Sequence, residues 1–568
     1  MRKLYIKQLY DLTKTLDTAC RELEKQKNGC FLDLCAVTQE FVSGMYDYME
    51  TVADEGLKLS ELLRRLYELL YDASQDRNYI KQILETVNDL KEEVDSFKAD
   101  KIEVVFFCYR ASMSDSLESV YFAAKEDPSC DAYFIPVPYF DRGSNGNINQ
   151  IHFEGEGYYS DQYELTDWKQ YDVQARHPDV IFIMNPYDNR NLVTSLHPDF
   201  YSSHLKNHTD MLVYIEYGLP YWLYRDPCAK ELQEEYEKNG IVLPAHIYSD
   251  YDIRYAKELA EVHKPIFAAN PEISQSYNIT PEKIQEKFVP LGSPKFDKIL
   301  NTGREDYVLP EKWKRKTEGK KIILYNTGLA ELLKSSERDK ESEKDYVPHG
   351  SRYFEKLCSI IESFGKHEDV ILWWRPHPLL EATLRSMRPV LLQEYLEIVN
   401  NFKNSGKGIF DDTEDLHRAI AWSDGMISDE SSLLLLYTAT GKPFYIPSIT
   451  KALSQPVYDD GEGFYAPLAG RLKNMRAAKG ANVGDWNCCI WWDNFLEEDV
   501  MRNTHFNNYT ERFMDFVLHP EKYPDAEEYR QLQIKMFKDF VVNPDGTAGR
   551  KIYEFVKKKA MGQKEVRL

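Results

Sequence analysis

The sequence predicts an α/β fold in which two Rossmann-like lobes face a cleft, preceded by an N-terminal helical region. Three observations support this class. The chain of 568 residues is too long for one hydrophobic core. From residue 101 onward, short apolar runs typical of buried parallel strands alternate with helix-like segments. The alternation begins again near residue 320, which predicts a second sheet. Ligands of such sheets bind at the carboxyl ends of the strands.

Residues 1–98 have a helical pattern throughout. Apolar positions recur every three or four residues from Ile80 onward, and also between Leu59 and Leu70. Two arrangements are open: a helical bundle packed on the lobes, or a coiled-coil arm that dimerises or docks a partner. The register lasts for fewer than three heptads, which favours the packed bundle.

The two lobes are predicted over residues 99–305 and 306–526, and residues 527–568 are predicted to form C-terminal helices. A polar stretch, residues 301–319, is the expected linker. The strand candidates of the first lobe are Ile102 to Cys108, Ala132 to Val137, Val180 to Met184, Met211 to Ile215 and Lys287 to Leu291. Those of the second are Lys320 to Tyr325, Val370 to Trp374, Gly408 to Phe410, Gly425 to Ser428 and Pro443 to Ile446. Helices are expected at residues 114–125, 351–364, 380–402, 413–421 and 431–440.

Composition narrows the classes of function. With 71 basic and 93 acidic residues, the net charge of −22 argues against a nucleic-acid partner. The apolar runs are far shorter than the ~20 residues of a membrane span, and the N-terminus lacks the apolar region of a signal peptide. Nine cysteines at irregular spacing suit reduced thiols, and no Cys/His cluster has zinc-like spacing. We expect a cytoplasmic protein without a metal; contact with the inner face of the cell membrane stays open.

The segment from Met426 to Ser432 predicts an anion site. A strand ends there, Ser431 and Ser432 lie at the turn, and a helix begins. Free backbone N–H groups, the positive helix end and the two hydroxyls together suit a phosphate. The alternative is that one of the serines only caps the helix.

A second strand of the same lobe ends in Arg375-Pro376-His377-Pro378. An arginine can hold a phosphate through two parallel hydrogen bonds. A histidine can donate to a diphosphate or protonate a leaving phosphate. The prolines fix the backbone, so that both side chains project from the strand end.

Acidic residues open the helix between these two elements. Asp412, Glu414 and Asp415 lie in its first turn, where carboxylates usually complement the helix dipole. Contact of one carboxylate with a ribose or a base is the alternative.

Together these residues resemble the CDP-glycerol glycerophosphotransferases, the teichoic-acid primases and polymerases with a GT-B fold. The resemblance rests on Arg375-Pro376-His377-Pro378, Asp412 to Leu416, Ser423-Asp424, Asp429-Glu430-Ser431-Ser432 and Lys442-Pro443. It extends to the segment from Leu291 to Asp297 and to Asp545-Gly546-Thr547-Ala548. It covers about residues 101–557, weakly in the first lobe.

The resemblance implies a transferase that moves a phospho-alcohol from a CDP-linked donor to a polymer or lipid-linked hydroxyl in cell-wall synthesis. It implies that Arg375, His377, Ser431 and Ser432 bind the donor diphosphate. It further implies that Asp412, Glu414 or Asp415, with Gly292 and Ser293, contact the nucleotide. No metal or other cofactor is expected.

The acceptor side departs from the family pattern. Where the family carries Trp-His-Gly-Thr-Pro, with a catalytic histidine, this chain has Glu216-Tyr217-Gly218-Leu219-Pro220. A tyrosine with a pKa near ~10 is a poor base at neutral pH. Glu216, Tyr217 or one of the upstream histidines, His204 and His208, could replace it. Two other functions stay open: a nucleotide-sugar glycosyltransferase, or a donor-binding protein without catalysis that docks partners through its N-terminal helices.

Overall fold

A computed structural model gives the fold. It describes residues 1–26, 30–52, 58–142, 147–185, 188–189, 194–215, 291–329, 332, 349–429, 431–447, 490–492, 504–523, 526–541 and 543–562. The predicted strand from Lys287 lies outside these residues except for Leu291.

Four helices form the N-terminal region, as a bundle with its own hydrophobic core. They are α1 (Lys3–Lys25), α2 (Phe31–Val52), α3 (Lys58–Gln75) and α4 (Ile80–Ser96). Their buried apolar residues, among them Leu16, Val42, Leu66 and Leu90, contact one another and form a cluster distinct from the cores of the two lobes. This is the bundle that the short apolar register favours.

Arg2 attaches the bundle to the first lobe. Its guanidinium is buried, with Nε 2.9 Å from Oδ2 of Asp179, Nη1 3.1 Å from Oε2 of Glu103, and Nη2 donating to the carbonyl of His177 at 2.6 Å. Both carboxylates lie at the amino-terminal edge of the first sheet. The bundle therefore lies at the edge opposite the carboxyl ends of the strands.

The first lobe is a parallel sheet of four strands in the order β2-β1-β5-β7. The strands are β1 (Ile102–Cys108), β2 (Cys130–Pro136), β5 (Val180–Ile183) and β7 (Met211–Tyr214). All seven residues of β1 are buried, as expected for a central parallel strand covered on both faces. The predicted helix at 114–125 is a 3₁₀ turn, Ala111–Ser116, followed by α5 (Glu118–Lys125).

A small antiparallel sheet beside this lobe was not predicted. Its order is β4-β3-β6, with β3 (Tyr139–Arg142), β4 (Ile148–His152) and β6 (Thr194–Leu196). Four of the five residues of β4 are exposed, so the strand lacks the buried apolar run by which the others are recognised. Two short helices, α6 (Val173–Arg176) and α7 (Ser202–Leu205), lie between strands of the lobe.

The second lobe is a parallel sheet of six strands in the order β10-β9-β8-β11-β12-β13. Its strands are β8 (Lys321–Thr327), β9 (Val370–Pro376), β10 (Ile409–Phe410), β11 (Gly425–Ser428), β12 (Phe444–Ile446) and β13 (Ile490–Trp492). Its helices include α10 (His349–Phe364), α11 (Leu380–Met387), α12 (Pro389–Ser405), α13 (Leu416–Trp422) and α14 (Ser432–Thr438).

Two details of this lobe correct the sequence prediction. The single helix expected over 380–402 is two helices, because Pro389 opens the second and disfavours helical backbone at Arg388. The expected linker contains the end of α8 (Pro294–Asn301) and all of α9 (Glu311–Thr317). The linker helix α9 packs on the lobe, with the ring of Trp313 5.0 Å from that of Trp373.

The C-terminal helices divide between the two lobes. Helices α15 (Thr504–Leu518) and α16 (Ala526–Phe540) supply Phe513 and Phe537 to the core of the second lobe. Helix α17 (Ala548–Ala560) crosses to the first lobe and buries Ile552 and Val556 in its core. Helix α17 therefore packs on the first lobe, although the second lobe precedes it in the sequence.

The lobes meet through a buried ionic cluster. Asp115, in the turn after β1, is 2.8 Å from Nε2 of His417 on α13 and forms an ion pair with Lys295 on α8. The side chains of these three residues are between 5% and 8% exposed. The carboxyl ends of both sheets thus face one another. The architecture is GT-B-like: two Rossmann-like lobes about a cleft, preceded in the sequence by a helical region.

Candidate functional site

Arg375 ends strand β9 and anchors the loop that follows β10. Its Nη1 lies 2.8 Å from Oδ2 of Asp411, an ion pair whose angle is not that of a hydrogen bond, and its Nη2 donates to the carbonyl of Thr413 at 2.6 Å. Asp411 also accepts from Nε1 of Trp373 at 2.9 Å and from the Thr413 hydroxyl at 2.6 Å. Part of the donor capacity of Arg375 is therefore used within the lobe.

His377 lies just beyond β9 and is partly buried. Its Nδ1 accepts a hydrogen bond from the backbone N–H of Leu379 at 3.1 Å. Burial, with a smaller contribution from the positive charge of Arg110, lowers the pKa of His377 to about 4. At neutral pH the ring is therefore uncharged, and its proton lies on Nε2, because Nδ1 is the acceptor. This leaves Nε2–H as a donor for a ligand.

The three acidic candidates have different environments. Asp412 is exposed and pairs with Lys403 at 3.2 Å. Asp415 caps α13 by accepting from the N–H of Arg418 at 3.0 Å. Glu414 is partly buried, and burial, followed by the charge of Glu154 from the first lobe, raises its pKa. Of the three, Glu414 is the one that faces the other lobe.

Ser431 occupies the N-cap position of α14, but its side chain makes no capping hydrogen bond. Its hydroxyl instead accepts from Nδ2 of Asn326 at 3.1 Å and lies 3.4 Å from the hydroxyl of Ser428. The structure thus brings Ser431 to the end of β8, beside the end of β11. The side chain of Ser432 lies outside the described residues.

Sequence reasoning missed the buried ion pair below this turn. Asp429 accepts from Nζ of Lys356 at 2.6 Å, from the N–H of Gly328 at 2.8 Å and from the hydroxyl of Tyr353 at 2.9 Å. Both side chains of the ion pair are at most 2% exposed. Asp429 therefore fixes the turn between β11 and α14 rather than facing the cleft. Lys356 belongs to an ordinary amphipathic helix, so no sequence pattern marks it.

Arg110, two residues beyond β1, is a second residue that sequence reasoning missed. Its guanidinium lies 5.3 Å from the ring centre of Tyr139, and its Nε lies 3.5 Å from Oε1 of Glu154. Its charge acts on both His377 and Glu414 of the second lobe. Its position at a strand end, like that of Arg375, is the signal that could have identified it.

Gly292 and Ser293 lie where the first lobe leads into α8. Gly292 has φ of 90°, a conformation that favours glycine. The hydroxyl of Ser293 is buried and has no hydrogen-bond partner among the described residues. Both residues are two or three positions from Lys295 of the interlobe cluster. A contact with the nucleotide remains a prediction.

The acceptor side is only partly described. Glu216 and Tyr217 lie outside the described residues. His204 and His208 precede β7, at the amino-terminal edge of the sheet, with ring centres 4.7 Å apart. The length of β7 separates both histidines from the cleft, so neither can reach a ligand at the carboxyl end of that strand.

Among the described residues, no group of three His, Cys, Asp or Glu side chains could hold a metal ion. No helix in the described part of the chain is long and apolar enough to cross a membrane.

The chain was compared with known proteins. No family model matches it, and no curated protein matches it. Among solved structures, the wall teichoic acid polymerase TagF aligns at 14% identity over 89% of this chain and 98% of its own, with a TM-score of 0.43. A UDP-N-acetylglucosamine 2-epimerase aligns at 14% identity over 83% and 99%, with a TM-score of 0.41. S. aureus MnaA with UDP aligns at 11% identity over 81% and 96%, with a TM-score of 0.41. All three TM-scores lie below 0.5, so these alignments identify neither a donor nor an acceptor.

Proposed function

We propose that the chain is a transferase that binds a CDP-linked alcohol in the cleft and moves its phospho-alcohol group to a hydroxyl acceptor. The observation that carries the proposal is His377: a neutral imidazole at a strand end, whose Nε2–H has no partner among the described residues, with the Arg110 charge nearby. A neutral donor beside a fixed positive charge suits a phosphate oxygen. The motif resemblance to the CDP-glycerol glycerophosphotransferases supplies the class of donor.

The neighbouring groups suit the same ligand. The Ser431 hydroxyl accepts from Asn326 at 3.1 Å, and its own proton can be donated to the Ser428 hydroxyl 3.4 Å away or to a ligand. Glu414, the acidic side chain that faces the cleft, is placed to accept from a ribose hydroxyl or a base amine. Arg375 adds positive charge beside Glu414 and holds the loop that carries it.

In the reaction, the acceptor oxygen forms a bond to the β-phosphorus while the bond from that phosphorus to the bridging oxygen breaks. CMP leaves with the bridging oxygen and its negative charge, which His377 and the nearby cations stabilise. The acceptor proton passes to a base of the first lobe, for which Glu216 and Tyr217 remain the candidates.

The proposal is tested by CMP release from CDP-glycerol, with and without a glycerol-phosphate primer. We expect release that requires the protein and is accelerated by the primer. His377→Ala should lower the rate by about 10²-fold or more, the usual cost of removing one hydrogen-bond donor to developing negative charge. His519→Ala is the matched control, because that histidine is about half exposed and pairs with Glu521 on the surface. CDP binding without any CMP release would instead favour a donor-binding protein without catalysis.

A further inference from the structure

We propose that Arg110 is the side chain by which the first lobe binds the donor diphosphate, so that both lobes contact it. The inference deepens the proposed function and rests on it. It assigns to Arg110 the role of phosphate ligand that the sequence pattern suggests for Arg375.

Neighbouring side chains fix the position of the Arg110 guanidinium. The side chain of Glu154 is fixed at both oxygens: Oε1 accepts from the hydroxyl of Tyr139 at 3.0 Å, and Oε2 accepts from the N–H of Ala111 at 2.7 Å. The guanidinium lies against the Tyr139 ring and against this fixed carboxylate. Tyr139 and Glu154 thus determine where the positive charge lies.

The described residues do not use the full hydrogen-bonding capacity of the Arg110 guanidinium. The side chain is 13% exposed, yet its Nε is buried without a hydrogen-bond partner among the described residues. Its contact with Glu154, at 3.5 Å, is an ion pair rather than a hydrogen bond. The Nε–H is one of the five donors of a guanidinium, and leaving it unpaired on burial is costly. This N–H therefore lacks an acceptor among the described residues.

The two arginines of the cleft have different partners, although each has one buried nitrogen without a hydrogen bond to the described residues. Arg375 donates to the Thr413 carbonyl and pairs with Asp411, so its guanidinium serves its own lobe. Among the described residues of its own lobe, Arg110 has no such partner beyond Glu154. Its charge nevertheless reaches His377 and Glu414 across the cleft. A ligand held by His377 Nε2–H lies in the field of Arg110.

A diphosphate fits this arrangement better than a single carboxylate. A planar guanidinium and an imidazole from opposite lobes can each bind oxygens of the same extended anion. Because both lobes bind the diphosphate, donor binding favours the closed form of the cleft.

The test compares the binding of CDP, inorganic pyrophosphate and cytidine to the full chain by calorimetry. Arg110→Met removes the charge while keeping much of the side-chain volume. Arg110→Lys keeps the charge but loses the planar fork. Arg385→Met is the matched control, since that arginine is 63% exposed and pairs with Glu381 within one helix. Melting temperatures report whether each variant folds.

We expect Arg110→Met to weaken CDP and pyrophosphate binding by about tenfold to hundredfold, the range for charged hydrogen bonds. Arg110→Lys should fall between this variant and the wild type, and the control should match the wild type. CDP and pyrophosphate bound equally by Arg110→Met and the wild type would overturn the inference, even if CMP release is observed.

Failure of the proposed function has a different signature. Suppose that the wild type binds pyrophosphate through Arg110 but neither binds CDP more tightly nor releases CMP. This result would support the diphosphate site and contradict the CDP-linked donor. A wild type that binds neither CDP nor pyrophosphate would overturn the inference as well.

Discussion

At His377, one backbone hydrogen bond decides which ring nitrogen carries the proton. Because the N–H of Leu379 donates to Nδ1, the neutral ring must be protonated at Nε2. Burial then keeps the ring neutral across the physiological range by lowering its pKa to about 4. The residue thus enters binding as a neutral donor, and a bound phosphate would raise its pKa again.

Titration followed by NMR checks this protonation state. We expect the His377 ring, identified by its loss in His377→Gln, to stay neutral from pH 8 to 5.5 and to titrate near 4. In the unfolded chain the ring titrates near ~6.5, so the unfolded state binds more protons between these values. The free energy of unfolding should therefore fall as pH drops through this window, by at most about 1.4 kcal/mol per pH unit. A ring midpoint near 6.5 would contradict the account.

Two acidic residues of one loop provide a matched comparison. Glu414 faces the first lobe, whereas Asp412 is exposed and pairs with Lys403. We expect Glu414→Gln to change CDP affinity by about tenfold, the loss of roughly one charged hydrogen bond, and Asp412→Asn to leave it unchanged. Calorimetry of both variants measures this. Equal effects would show that the loop, rather than Glu414, recognises the nucleotide.

The residue types of the second-lobe site could be predicted, because strand ends marked by Arg375, His377 and Ser431 are visible in the sequence. Their partners could not. Ser431 bonds to Asn326, about a hundred positions away, and the charge beside His377 comes from Arg110 of the other lobe. No local pattern encodes such distant pairings.

Among the elements, two segments that share the family resemblance contact each other: the one from Leu291 to Asp297 and the one from Asp545 to Ala548. Asp297 on α8 accepts from the N–H groups of Ala548 and Gly549 at 3.0 and 2.7 Å, and from the hydroxyl of Ser119 at 2.8 Å. A Cβ added at Gly549 would lie 2.7 Å from the backbone carbon of Ser119, so the close approach of α17 to α5 needs glycine there. These segments join the C-terminal helix to the first lobe.

Removing the Asp297 carboxylate should therefore loosen α17. Asp297→Ala leaves two backbone donors and one hydroxyl without their acceptor, a cost of about 1–3 kcal/mol in the free energy of unfolding. Asp545→Ala is the control, because its carboxylate is 55% exposed. Urea unfolding measures both. A loss no larger than that of the control would show that apolar packing alone holds α17.

The buried strands were the elements that the sequence predicted best. Ile102–Cys108 and Gly425–Ser428 have the predicted bounds, since burial on both faces requires a continuous apolar run. The exposed strand Ile148–His152 gave no such signal. Helix ends shifted where a cap or a proline decides them, as at Asp415 and Pro389.

At the scale of the whole molecule, single buried polar side chains join the parts. Arg2 connects the helical bundle to the first lobe, and Asp115 connects the first lobe to α8 and α13. The bundle lies at the edge of the first sheet away from the cleft, so its docking should matter for stability rather than for donor binding.

Arg2→Met tests this division. The change leaves Asp179 without its buried ion-pair partner and takes one of two arginines from Glu103, the other being Arg176. We expect a loss of about 3–5 kcal/mol in the free energy of unfolding, with CDP affinity unchanged under folding conditions. Arg21→Met, which removes an exposed pair with Asp17, should cost less than about 1 kcal/mol. A large change in CDP affinity in the folded Arg2→Met protein would contradict the separation.

The central claim is that a nucleotide-linked donor binds with its diphosphate between the two lobes. An experimental structure of the chain with CDP tests it most directly. We expect phosphate oxygens within hydrogen-bonding distance, about 3.2 Å or less, of both His377 Nε2 and the Arg110 guanidinium. A diphosphate bound away from these two side chains would contradict it.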